Sequence, residues 1–146
     1  MPSAAHAYTR GRCTATSRFR KTMMTFSFEP LRRLGLSPAL FQTLVNYAAP
    51  AGGSHTWMRV TAVHRETLAL HDGLQQHSAR CAPALLRELA HHDQVLCVGD
   101  WVLTQTVDEK TWIHQRLPAQ NQILRLDADG GRHAVVSNVD TALLVM

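Results

Sequence analysis

Cations and aromatics alternate with apolar residues along two segments of this chain. In Thr56 to Arg65, Arg59 and Thr61 stand opposite Met58, Val60 and Ala62, with His64 and Arg65 at the end. In Thr111 to Leu117, Trp112, His114 and Arg116 share one side. Side chains two apart on a strand face the same way. Two such strands would therefore present Arg and His groups that neutralise phosphates, interleaved with an indole that stacks a base. That is the chemistry of single-stranded RNA recognition. A solvated face laced with cross-strand charge pairs has the same pattern. Arg125 and Arg132 are further cationic candidates, in the segment that follows.

Other chemistry-bearing residues read more plainly. His91-His92-Asp93 puts adjacent imidazoles in different directions on a helix, and no second ligand pair has metal-site spacing. A solvated helix end is expected. Cys13, Cys81 and Cys97 are far apart, odd in number and without a C-x-x-C pair, so no disulfide framework is expected and a reducing, cytoplasmic setting fits. Cys81 and Cys97 are expected as small buried apolar side chains. Trp101 directly follows a turn and opens an apolar strand, so it is expected in the core. Asp100 is expected to shape that turn rather than to act as acid or base. No nucleophile with its base can be argued from spacing.

The chain has 146 residues and a formal charge of +4, enough for one ordinary domain. The charge is uneven. Arg10, Arg12, Arg18, Arg20 and Lys21 precede the first acidic residue, Glu29; from residue 25 onward ten Lys and Arg face eleven Asp and Glu. The folded part is thus not globally basic, and a nucleic-acid site must be a local patch. Residues 1–28 are expected to be a disordered basic tail or a mis-assigned start ahead of Met23 or Met24. A transit peptide and a phosphate-touching arm remain as alternatives. No apolar run reaches membrane-spanning length, and no membrane partner is expected.

The elements that would position these side chains follow from local signals. Leu31 to Ala48 reads as helical, with Ser37-Pro38 as a start signal, and a linker runs to residue 54. Strands are expected over Thr56–Arg65, Thr67–His71, Gln76–Cys81, Trp101–Val107 and Thr111–Leu117. A turn at Asp72-Gly73 and a helix opened by Pro83, with Leu85, Leu86 and Leu89 on one face, complete the set. Five short strands and an inserted helix over residues 55–118 predict a mainly β protein built on a small barrel. Periodicity alone leaves the OB-fold and an SH3-like barrel both open.

An ordered set of short motifs adds to this reading. Leu34-Gly35-Leu36, Arg59-Val60 through His64-Arg65, Val98-Gly99-Asp100-Trp101-Val102, Leu117-Pro118 with Asn121 and Arg125, and Ser137-Asn138-Val139-Asp140 come in the order and spacing of a known family. Together they resemble the N-terminal domain of the RsgA family of circularly permuted GTPases, which depend on the small ribosomal subunit. Two departures stand out: Leu36 replaces the usual aromatic, and Ala119 stands where the family carries Arg. The resemblance implies a five-stranded OB-fold barrel that contacts 16S rRNA late in 30S maturation, with no DNA partner. It implies GTP, Mg²⁺ and zinc only for the family's other domains.

The chain has no Gly-Lys pair, no Asn-Lys-x-Asp and no zinc-type Cys/His cluster, so it is expected to be unable to bind or hydrolyse GTP alone. No cofactor is expected in this chain. Residues 119–146 are then expected to be a linker and the first strand of a missing GTPase domain, the apolar run Ala142–Met146 being an orphan strand. RNA-binding candidates are Arg59, His64, Arg65, Trp112, His114, Arg116 and Arg125. The rival expectations are an inert truncated remnant and a generic OB module for single-stranded nucleic acid.

Overall fold

A computed structural model describes residues 28–47 and 54–146. The expected tail up to residue 27, Cys13 and the linker at 48–53 lie outside the described residues.

Five strands close into a barrel: β1 (His55–Val63), β2 (Leu68–His71), β3 (Gln76–Cys81), β4 (Trp101–Val107) and β5 (Lys110–Arg116). Their spatial order is β1-β2-β3-β5-β4, with β4 returning to β1. All neighbours are antiparallel except β3 and β5, which run parallel. A parallel pair needs a crossover, and helix α3 (Pro83–His91) begins it between β3 and β4. This is the Greek-key barrel of the OB-fold, and it resolves the choice that periodicity left open.

Alternation along β1 and β4 sends Met58, Val60 and Val102 into the barrel, where they meet Leu68, Leu70, Ala79 and Ile113. Helix α3 plugs one end with Leu85 and Leu89. Leu86, expected on the same face, is exposed, because one helical step turns it about 100° away from Leu85. The β4–β5 turn places Asp108 and Glu109 at φ of 48° and 62°, the left-handed pair that a two-residue hairpin of matching twist requires.

The single helix expected from Leu31 is two helices, α1 (Phe28–Arg33) and α2 (Pro38–Asn46). Gly35 ends the first at φ +89°. Its N–H donates to Arg32 O (2.9 Å) while Leu36 N–H reaches back to Leu31 O (3.1 Å), a Schellman cap that glycine makes without steric cost. Ser37 then caps α2 through Leu40 N–H (3.2 Å), with Pro38 in its first turn.

Both helices lie against the outside of the barrel. Leu31, Leu36, Leu40 and Leu44 form a second core with Trp57, Trp101, Leu103 and Leu117. Trp101 is therefore a core residue, as expected. Trp57, Trp101 and Leu103 are the outward positions of β1 and β4, so those strands are buried on both faces.

Residues 119–146 differ from the expected linker and strand. They contain a hairpin, β6 (Gln122–Leu126) with β7 (Arg132–Ser137). The run Ala142–Met146 forms no strand, and Leu143–Met146 is exposed.

Candidate nucleic-acid interface

The Gly99-Asp100 turn holds a sealed polar knot. The Asp100 carboxylate is fully buried. It accepts from Cys97 N–H (3.0 Å) and from the Ser137 hydroxyl, and it pairs with Arg116 Nε at 3.2 Å. The Arg116 side chain is only 9% exposed and also reaches Gln94 Oε1 (3.4 Å). Gly99, at φ +92°, lets β7 come close, since a Cβ there would run into the Ser137 carbonyl. Asn138 Nδ2 donates to Gly99 O (3.0 Å), and Asn121 exchanges two hydrogen bonds with Val139 (2.7 and 3.1 Å). Residues from three of the motifs behind the RsgA resemblance thus meet in one place, where they dock the hairpin onto the barrel.

Arg59 belongs to the same internal framework. Its guanidinium donates to Leu34 O, to Gly99 O (3.3 Å) and to Asn138 O (2.8 Å), and lies over the Trp101 ring at 5.7 Å. Burial pulls its pKa below the ordinary value, with the Asp140 charge opposing. Burial, and then the charge of Asp100, push the Cys97 thiol up; burial alone does so for Cys81. Cys97 is buried, as expected, whereas Cys81 is half-buried.

An open groove crosses the other side of the barrel. At one end it is lined by Arg80, Glu109, Lys110, Thr111 and Trp112, in a volume of about 500 Å³. At the other end it is lined by His64, Ala69, Gln76 and His77, in about 490 Å³. Thr67 and Ser78 line both, so the two hollows adjoin. The parallel register of β3 and β5 sets Arg80 directly beside Trp112. Arg80 and Lys110 are exposed and Trp112 is half-buried, so both charges and an indole face are open to a ligand. The groove spans the outer face of β2 and β3 between the β1–β2 and β4–β5 loops, the surface that OB-folds use for oligonucleotides.

The expected site residues divide accordingly. His64 and Trp112 line the groove, and Arg65 is exposed on the same β1–β2 loop. His114 is half-buried; its Nε2 has no hydrogen-bond partner among the described residues, and its ring meets His55 edge-on at 6.1 Å. Arg125 stands on β6, outside the barrel, paired with Asp127 at 3.2 Å. The expectation that Arg59 and Arg116 project to solvent is corrected. Arg59 points out of the barrel but is covered by the segment after α1, the Gly99 turn and the end of β7, whereas the irregularity between Leu103 and Thr104 turns Arg116 to the side of Val102, where it meets Asp100.

Sequence reasoning missed Arg80 and Lys110. Arg80 follows Gln76 and Ser78 at strand spacing, a signal that was present but weak because β3 carries few apolar residues. The adjacency of β3 and β5 is a matter of topology and has no local signature.

His91 and His92 end α3 in solvent, their rings 5.1 Å apart. Among the described residues no three His, Cys, Asp or Glu side chains converge as a metal-holding group, and none of their helices is long and apolar enough to cross a membrane. The sequence holds no Gly-Lys pair. Comparison with family models and with curated proteins finds no match.

Proposed function

We propose that this chain binds single-stranded RNA in the groove between the β1–β2 and β4–β5 loops. We further propose that its target is 16S rRNA of the small ribosomal subunit, met in the cytoplasm. The observation that carries the RNA reading is Trp112 flanked by Arg80 and Lys110 on an open barrel face. An indole offers a stacking platform to any base, and the two cations hold the phosphates on either side. The small floor of Thr67, Ala69 and Ser78 leaves depth for a strand to lie between the walls.

The ribosomal target rests on the RsgA resemblance. In that reading the chain is the rRNA-binding barrel of a GTPase acting in late 30S maturation, and its own residues take no part in hydrolysis.

Two cations imply modest electrostatics. With about 0.7 of slope per neutralised phosphate on a single strand, log affinity should fall with log salt at a slope of roughly −1.4. Arg65 would bring this near −2 if it joins. Fluorescence anisotropy with a short labelled RNA across a salt series measures the slope, and co-sedimentation with 30S subunits tests the target. A flat salt response, or an Arg80→Ala/Lys110→Ala double variant that binds like the parent, would overturn the groove. RNA binding without 30S co-sedimentation would leave a generic single-strand binder.

A further inference from the structure

The two lobes of the groove differ in chemistry. Arg80 and Lys110 lie in the lobe with Trp112, and that lobe suits any nucleotide. The second lobe has no Lys or Arg; its polar walls are His64, Gln76 and His77, over Thr67 and Ser78. Such groups can read base edges, because amides, hydroxyls and imidazoles offer donors and acceptors.

This second lobe is held in shape. His77 Nε2 lies 3.0 Å from Asp72 Oδ2. The other oxygen of Asp72 accepts from the N–H groups of Leu74 and Gln75, both at 2.7 Å. A carboxylate fixed by two backbone amides fixes the imidazole in turn. Gln76 faces outward from β3 on the same side as Ser78, exposed, with an acceptor and two donors on one planar group. A Gln amide matches adenine at N6 and N7 in a bidentate pair.

We infer that the groove reads sequence at one position. The Arg80–Lys110–Trp112 lobe holds the strand without preference, and the Gln76–Ser78–His64 lobe selects one base, adenine, by its edge. This inference rests on the RNA-binding reading above and adds specificity to it.

The test uses the full chain and uridine RNAs about eight nucleotides long, within the usual OB-fold site range. Each carries one adenine, guanine or cytosine stepped through the sequence. One position should favour adenine by about 5- to 100-fold, the range of a good bidentate base contact. Gln76→Ala should bring that preference to within about twofold. Lys110→Ala should weaken every RNA by the same factor and keep the preference. Equal affinity at all positions, preference for another base, or a Gln76→Ala loss shared by every RNA would overturn the inference while leaving RNA binding in place. Failure of the parent chain to bind any of the RNAs would overturn the underlying reading as well.

Discussion

The two outer faces of this barrel have opposite fates. On β1 and β4 the outward residues Trp57, Arg59, Trp101 and Leu103 are covered by α1, α2 and the docked hairpin, and the Arg59 guanidinium is spent on internal carbonyls. On β2, β3 and β5 the outward residues Ala69, Gln76, Ser78, Arg80 and Trp112 border an open groove. Both faces carry arginine beside tryptophan. Arg59 lies over Trp101 with three carbonyls around it, and Arg80 stands beside Trp112 across a strand pair. Residue type therefore does not separate a structural cation from a ligand-binding one. What separates them is whether another element covers the face.

That contrast can be broken by mutation, and the covered face should give the largest effect. Asp100→Ala leaves Arg116 buried without its counter-charge and also removes the acceptor of Cys97 N–H and the Ser137 hydroxyl. Breaking a buried pair in this way costs about 3–5 kcal/mol, so chemical denaturation should show a chain close to unfolding. Stability within about 1 kcal/mol of the parent would sink the sealed-knot description.

Arg59→Ala comes next. It deprives three backbone carbonyls of a charged donor, a loss of about 3 kcal/mol, and Arg59→Lys should recover little because an ammonium lacks the fork that spans three acceptors. An Arg59→Ala chain of full stability that had lost RNA affinity would show the assignment of the two faces to be reversed.

On the open face the pattern should invert. Trp112→Ala should weaken RNA by the equivalent of about 1–3 kcal/mol of stacking, read by anisotropy, with little change in the melting temperature.

The smallest effect concerns pH. Burial raises the Asp72 carboxyl, but the amides of Gln75 and Leu74, together with His77, outweigh it and hold its pKa below the ordinary aspartate value. A carboxyl depressed by folding stabilises the native state above its unfolded pKa of about 3.9, and that support fades as pH falls through the lower folded value. Acid titration should therefore loosen the β2–β3 turn, and Asp72→Asn should remove that part of the acid sensitivity. Because Asp72 is partly exposed, solvent screens the contribution to a fraction of a kcal/mol.

Much of the fold was legible in the sequence. The Asp72-Gly73 turn, the Pro83 helix start, the Ser37 cap and all five barrel strands have local causes within a few residues. The site was half legible. Alternation identified Trp112 and Arg59 correctly as outward, but it could not foresee the irregularity between Leu103 and Thr104 that turns Arg116 to the side of Val102. Nor could it say that the Gly99 turn and the end of β7 lie over Arg59, because that depends on contacts far along the chain. The hairpin went unseen because Gln122–Leu126 and Arg132–Ser137 are exposed on both faces over most of their length and show little of the one-sided burial that period-two patterns report. The break at Gly35 was readable in principle, since a glycine before a Ser-Pro start is a normal helix stop.

The reach of one guanidinium has a consequence for motion. Arg59 bonds to groups 25, 40 and 79 residues away in the chain. Helix α1, the Gly99 turn and the end of β7 therefore share a single fastener, and none can open alone without stranding its carbonyl. Hydrogen exchange should report these three distant segments breathing together as one cooperative unit, while the turns that rim the groove exchange on their own, faster schedule.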